Sequence, residues 1–323
     1  QKVTIIARDL PGDSTIDYAS PWAGAHFRPS PANTPAEQLE QEFMRETYRQ
    51  FEAIADQSPE AGVQFIPAVE YFDSVDSTSS THGMDTLTGL GFIHCRHRKI
   101  QLGVTYRSWV LNSPVYLQWL KRRAVQQGIQ FIRAQVSTVE DALTVSHQDS
   151  TASQADDRIR SVIDTSGRGL NDPSSFPSRG QFILVSNQCD RTTSHHWADG
   201  SSTVIIPRPL GGGTVIGGTK EPNNWSERVS EADIEEILQR AARICPALVN
   251  QDGGAVDNKP GFDIRQVYVA RRPMRHGGLR LEKESLSTHN SDGSNISLIH
   301  CYGAGPSGYK ISWGVSCGSC CRH

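Results

Sequence analysis

Two groups of residues in this 323-residue chain have the types and spacing to hold a charged ligand. The first is Gly303-Ala304-Gly305-Pro306-Ser307-Gly308, a literal G-x-G-x-x-G that follows the apolar run Ile296–Cys301. A loop of this kind lets the backbone approach a pyrophosphate and opens a helix whose N-terminus favours negative charge. Only residues 309–323 follow it, too few for the next strand and the acidic ribose ligand of a dinucleotide unit. A glycine loop of another kind, or a tight strand-to-helix turn, is the better reading. The second group is Arg8-Asp9, at the end of the apolar run Val3–Ala7. In a dinucleotide fold the adenosine ribose is often held at the end of the second strand. A pair of solvated turn residues explains Arg8 and Asp9 equally well. If Val3–Ala7 is that second strand, the first strand and its glycine loop lie upstream of Gln1.

Other charged and sulfur-bearing residues say less. Arg271, Arg272, Arg275 and Arg280 lie close together and read, taken alone, as a surface basic patch. Cys317 and Cys320 have the C-x-x-C spacing of metal ligands, but no second pair completes four, which argues against zinc. Cys95, Cys189, Cys245 and Cys301 are scattered and read as buried thiols of a reducing compartment. A net charge of −3 makes no electrostatic case for nucleic acid or an anionic membrane surface. No apolar run is long enough to span a bilayer.

The elements that must position these residues are partly visible. Val3–Ala7 is an unalternating, largely β-branched run of the kind buried on both faces of a parallel sheet. Thr34-Pro35-Ala36-Glu37 has an N-cap, a first-turn proline and a capping-box glutamate, so a helix starts there. Ser113-Pro114 opens a second helix that stops at Gly128, and Ser230 caps a third that ends at Pro246. Strands are expected at 129–136, 161–164, 181–185, 204–206, 214–216 and 296–301. Residues 74–84 and 146–158 are polar and read as surface loops. The mixture is α/β (α+β), a nucleotide-binding unit interrupted by a strand-rich one.

Several segments, in order and spacing, resemble the D-amino-acid oxidase family, especially its fungal members. They include Val3–Asp13, Ala19-Ser20-Pro21-Trp22-Ala23-Gly24-Ala25, Tyr116–Leu120, Arg179-Gly180-Gln181, Ile205-Ile206-Pro207-Arg208-Pro209, Gly217-Gly218-Thr219, Asn224-Trp225, Arg272-Pro273-Met274-Arg275, Arg280-Leu281-Glu282 and His300–Gly305. The resemblance implies a Rossmann-type FAD-binding domain built from 1–33, 112–175 and 290–323. It implies a mixed-sheet substrate domain from 34–111 and 176–289. The implied chemistry is oxidation of a small-molecule D-amino acid to the imino acid, with FAD as cofactor and O2 as acceptor. The implied location is the peroxisome, or otherwise the cytoplasm, and a homodimer is compatible with it.

Residue by residue, the resemblance makes Arg272 the clamp for the substrate carboxylate, which a guanidinium matches with two parallel hydrogen bonds. Gly303, Gly305, Pro306, Ser307 and Gly308 become the turn beside the reactive ring and the substrate amine, with Tyr309 and Lys310 leading toward the ring's pyrimidine edge. Gly305 and Pro306 stand with Arg272 at the catalytic centre. Ser20, Gly24 and Ala25 line the cofactor from the other side, and Arg8 and Asp9 hold the adenosine ribose. Val136 meets the adenine, and Ser166 and Gly167 form a later cofactor turn. The plainer reading of the small residues is helix-to-strand packing, and of Val136 plain core.

The chain departs from the family pattern in three places. No glycine loop precedes Val3, so a polypeptide of this sequence is expected to fold poorly and to bind FAD weakly. No tyrosine lies in Gly200–Val204, where the family carries substrate-facing phenols; Trp197 and His26 are candidate replacements. The family's long helix is expected to be missing after Trp313-Gly314, and Cys321-Arg322-His323 is not a peroxisomal tripeptide. An incomplete or mis-spliced gene model is the expected common cause. Two further readings stand beside the first: D-aspartate specificity, for which Arg28 and Arg208 are candidate extra cations, and a non-catalytic homologue.

Overall fold

The computed structural model describes residues 2–30, 33–75, 91–93, 100–149, 158–249, 261–289, 293 and 295–321. In chain order the elements are β1 (Thr4–Ala7), α1 (Pro35–Gln57), β2 (Val63–Phe72), β3 (Gly91–Ile93), β4 (Leu102–Leu111), α2 (Ser113–Gln126), β5 (Gln130–Arg133), α3 (Val139–Asp149), β6 (Ser161–Asp164) and β7 (Ser175–Val185). There follow β8 (Thr192–His196), β9 (Ser202–Pro207), β10 (Thr214–Gly217), β11 (Glu221–Pro222), α4 (Glu231–Ile244), β12 (Ile264–Arg275), β13 (Arg280–His289), β14 (Asn295–Tyr302) and α5 (Gly308–Cys321).

Three sheets organise the chain. A nine-stranded, mostly antiparallel sheet runs β11-β7-β10-β9-β8-β2-β4-β3, with β12 also paired to β7. Two small sheets carry the parallel character expected of the apolar runs. β1 pairs with β5 in parallel, and β14 pairs with β6 in parallel and with β13 antiparallel. The architecture is therefore mixed α/β, as the sequence indicates.

The helix signals hold at their starts. Thr34 and Glu37 form a reciprocal capping box at α1, and the Ser230 side chain accepts the Asp233 N–H at α4. Helix α1 buries Phe43, Met44, Tyr48 and Phe51 against Trp109, Leu111 and Tyr116 of the sheet and α2. Helix α4 buries Ile237, Leu238 and Ala241 against Ile183, Val185, Ile205 and Ile216 of β7, β9 and β10.

Four expectations need correction. A strand was expected over 129–136, but pairing with β1 stops at Arg133, because β1 itself ends at Ala7. The stretch expected as a loop from 146 is helical to Asp149, where α3 ends; residues 150–157 lie outside the described residues. The loop expected at 74–84 falls outside them from residue 76 on. A C-terminal helix was expected to be missing, yet α5 is present. Its glycine, serine and cysteine content gives it poor intrinsic helix propensity. Packing compensates: Ile311 and Val315 are buried in the α1 core. At Gly314 the backbone of α1 comes so close that a Cβ would lie 2.3 Å from Phe43 Cα. The Gly314 N–H donates to the buried Thr47 Oγ1 at 3.0 Å. No helix among the described residues is long and apolar enough to cross a membrane.

Candidate active site

The four clustered arginines separate once β12 is formed. Strand alternation sends Arg271 to one face, where it pairs with Asp17 and Glu227. Arg275 pairs with Asp172, and Arg280 with Glu282 and Glu284. Arg272 is different. It lies on the opposite face from Arg271, with its guanidinium 5.3 Å from the centre of the Phe182 ring. Among the described residues it donates only to carbonyls, Arg179 O and Thr219 O, each at 3.4 Å. Among the described residues it forms no ion pair with an acid. Burial pushes its pKa down, with the neighbouring Tyr268 opposing. Gly180 makes the space for it, since a Cβ there would meet the guanidinium at 2.6 Å. A partly buried cation without a counter-charge is costly unless a ligand supplies one.

The sheet register shows what shares the Arg272 face. Across the strands, Tyr268, Phe182, Gly217, Val204, Ser194, Glu70 and Val104 stand opposite one another in turn. Arg272, four residues from Tyr268, is on the same side. Trp22 stacks on Tyr268 at 4.9 Å and accepts its hydroxyl hydrogen bond through its carbonyl. From there the segment 22–28 crosses the sheet. Gly24 lies against Ile206, Ala25 pairs with Leu111, Phe27 bonds to Trp109, and Arg28 reaches Glu70. The result is a floor of small residues, Gly217, Val204 and Ser194, with a cation at each end. The Ser194 hydroxyl is fully buried and has no hydrogen-bond partner among the described residues.

Many of the predicted cofactor residues lie beyond the carboxyl ends of the parallel strands β1, β5, β6 and β14, the ends at which open α/β sheets place ligands. Arg8 and Asp9 follow β1, Val136 lies three residues past β5, Ser166 and Gly167 follow β6, and the 303–308 turn follows β14. The Gly303 N–H donates to Gly167 O at 2.8 Å, which joins two of these turns. Gly303 has φ +82° and Gly305 φ +53°, a left-handed backbone that suits glycine. Gly305, Pro306 and Ser307 form a 3-10 turn that packs on β12, with Gly305 against Met274, two residues beyond Arg272. Around Gly308 there is open space at the N-terminal end of α5. That end carries positive partial charge.

Other predicted residues are tied to one another. The Tyr309 hydroxyl donates to Ser20 O at 3.0 Å. Lys310 Nζ reaches Ser30 Oγ at 3.2 Å and Arg28 O at 3.5 Å. Burial, with help from Arg28, lowers the Lys310 pKa to about 8. Asp9 accepts from Arg8 Nε at 2.7 Å and from Thr15 Oγ1 at 3.1 Å. Ser166 is bonded to Asp164 through both its N–H and its hydroxyl. The strand-end turns, the open approach at Gly308 and the cationic surroundings fit an extended anionic cofactor such as FAD.

Two candidates turn out to be engaged elsewhere. Arg208 is buried and donates to the carbonyls of Pro21, Ala23 and Gly24, so it anchors the crossing segment and faces no ligand. Trp197 stacks on His195 at 3.7 Å and donates to Thr203, on the face away from Arg272. The other proposed replacement for the tyrosines, His26, lies among Glu70, Arg28 and Lys310. Residues missed in the sequence are Tyr268, Gly180, Ser194 and Glu70. A period-2 pattern through Tyr268, Ala270, Arg272 and Met274 is the signal that would have found the first of them.

Comparisons with known proteins identify the family. A profile of the DAO family, FAD dependent oxidoreductases, matches residues 1–316. Over 97% of its length the chain is 35% identical to a D-aspartate oxidase of Talaromyces thermophilus, 84% of which is covered. Over 98% of its length it is 28% identical to a D-amino-acid oxidase of Schizosaccharomyces pombe, 86% of which is covered. A glycine oxidase from Geobacillus kaustophilus superposes with a TM-score of 0.65 at 15% identity, over 98% of this chain and 86% of that one, which shows a shared fold.

Proposed function

The chain belongs to the family of FAD dependent oxidoreductases, and on that premise we propose that it oxidises D-amino acids, with Arg272 as the clamp for the substrate's α-carboxylate. The observation that carries this reading is a partly buried guanidinium with no acidic partner among the described residues, on a strand packed against the 303–308 turn. A carboxylate would satisfy its charge and its fork of donors together. The preference for the D-series is supported by the names of the curated relatives, a D-aspartate oxidase and D-amino-acid oxidases.

Each part of the chain then has a task. Arg272 fixes one end of the amino acid, while Gly180 and the Phe182 ring fix Arg272. Trp22 and Tyr268 stack beside it and keep water from that end. When bound, FAD supplies the hydride acceptor and passes the electrons on to O2. The net reaction takes a D-amino acid, O2 and water to the 2-oxo acid, ammonia and hydrogen peroxide. Asp9, Val136, Ser166, Gly167 and the 303–308 turn hold the cofactor, which assigns it to the parallel-stranded part built from 1–33, 112–175 and 290–323. No proton-abstracting side chain is needed if the amine binds uncharged.

The test is a peroxide-coupled assay on FAD-supplemented protein with paired D- and L-amino acids. Peroxide from the D-isomers is expected, and Arg272→Ala should lower kcat/KM by roughly 30- to 5000-fold, the range for stranding a charge that was held by a partner. Equal activity on L-isomers, or an Arg272→Ala variant as active as the parent, would refute the proposal.

A further inference from the structure

The groups that hold Arg272 in place lie largely on the other side of the sheet. Both terminal nitrogens of its guanidinium converge on Thr219 O, and Nη1 also donates to Arg179 O. All three contacts are 3.4 Å long, at the weak end of hydrogen bonding. They fix the fork only as firmly as the two carbonyls are themselves fixed. Nε makes no hydrogen bond among the described residues. With the second Nη2 hydrogen it forms a side edge of the fork, the edge that can take a carboxylate through two parallel bonds. The angle of that edge is set by where Thr219 O and Arg179 O stand.

One ion pair fixes both. Every polar atom of Thr219 is engaged: its N–H donates to Gln181 O at 3.3 Å, and its hydroxyl accepts the Gln181 N–H at 3.0 Å. The same hydroxyl donates to Glu221 Oε1 at 2.7 Å. That oxygen also accepts from Arg179 Nη1, and Glu221 Oε2 accepts from Asn224 at 2.5 Å. Arg179 stands directly across from Glu221 in the β7–β11 register, and its side chain is only 3% exposed. Its other donors go to Ser226 O, Arg228 O and Gln181 Oε1, and a second acid, Asp233, is 4.0 Å away. Arg179 is paired with Arg271 in the sheet, so its side chain lies on the face away from Arg272 while its carbonyl holds Arg272.

We propose that Glu221 and Thr219 are positioning residues for the carboxylate clamp. The Glu221 carboxylate, paired with Arg179 and acting through the Thr219 hydroxyl, sets the angle at which Arg272 presents its fork to the substrate. The inference rests on Arg272 as the α-carboxylate clamp and extends it to side chains that touch no substrate. Misplacing a binding group by about 1 Å can cost about 100-fold in rate, so loosening Thr219 is felt at the acid group of the ligand.

The test compares kcat/KM for a D-amino acid and for its amide on FAD-supplemented parent, Thr219→Val, Thr219→Ser, Arg272→Ala and the Thr219→Val/Arg272→Ala double variant. Thr219→Val removes the hydroxyl and keeps the branched shape. It should cut the preference for the acid over the amide roughly tenfold. Thr219→Ser should recover most of that loss. Added to Arg272→Ala, Thr219→Val should change the preference by less than about twofold, because its effect runs through Arg272. Acid and amide falling by the same factor in Thr219→Val would mean general structural damage and overturn this inference. So would a Thr219→Ser variant no better than Thr219→Val, or a loss of preference as large on the Arg272→Ala background as on the parent. These results leave the reading of Arg272 intact. A parent that oxidises no D-amino acid, or shows no preference for the acid, would overturn that reading and this inference together. Should Thr219→Val fail to fold, Glu221→Asp decides, since it keeps the charge beside Arg179 and draws the carboxylate back from Thr219 by one methylene. It is expected to cut the preference at least roughly threefold, and a parent-like preference would overturn the proposal.

Discussion

At the scale of single residues, the account depends on which charges have partners. Among the described residues, Arg271, Arg275 and Arg280 each meet an acid, and Arg272 hydrogen-bonds only to carbonyls. The sequence could not make that distinction, because four neighbouring arginines look alike until strand alternation assigns their faces. Family resemblance picked out Arg272, and Arg28 was visible only as a candidate without a position. Residue chemistry also gives a pH dependence. Burial lowers the His26 pKa from 6.5 to about 4, with Glu70 opposing and Arg28 and Lys310 assisting. The folded protein holds this imidazole neutral where the unfolded chain takes up a proton. Its stabilising contribution is therefore whole above about pH 6.5 and falls away toward pH 4. Replacing His26 with Asn should flatten the loss of Tm across that window. An unchanged acid limb would mean that other groups set it.

At the scale of elements, the helices were legible and half the large sheet was not. Capping boxes and first-turn prolines are local signals, so α1, α2 and α4 start close to where they were expected. Strands β2 and β12 contain Pro67 and Pro273, residues that argue against a strand when read alone. Pairing with β4 and β7 overrides that local cost. Helix α5 was invisible for the converse reason, since its glycines weaken the helix locally while one of them, Gly314, is needed for its packing. Gly314→Val should therefore destabilise the fold by roughly 1–3 kcal/mol, as overpacking does. A Tm equal to that of the parent would show that α1 and α5 do not meet this closely. Gly180→Ala tests β7 in the same way. By displacing Arg272 it should lower kcat/KM roughly 10- to 100-fold while the protein stays folded. Parent-like kinetics would remove Gly180 from the site.

At the scale of the whole molecule, the parallel strands carry the proposed cofactor residues beyond their carboxyl ends. Val3, Ile5 and Ile163 on or beside β1 and β6 are 44%, 37% and 57% exposed, so this part buries its apolar residues less completely than the large sheet does. A cofactor that binds only the folded state adds stability by mass action, about 2.7 kcal/mol at a hundredfold excess over Kd. Added FAD should accordingly raise Tm in a concentration-dependent way, and a Tm indifferent to FAD would mean that the strand-end turns do not hold it. The sequence suggests a nucleotide-binding unit interrupted by a strand-rich one, and the structure has parallel pairs in two small sheets beside one large, mostly antiparallel sheet. What joins them, the segment 22–28 lying across the sheet, carries no sequence signature. It is fixed by side chains from strands far along the chain, Arg208 and Tyr268 among them.

The most direct measurement is anaerobic bleaching of the flavin absorbance by a D-amino acid and by its amide, which lacks only the acid group. With the parent protein the acid should react at least roughly 100-fold faster at low concentration than the amide, and in Arg272→Ala this preference should shrink to within about tenfold. A variant that keeps the full preference would contradict the account, because something other than Arg272 would then be holding the carboxylate.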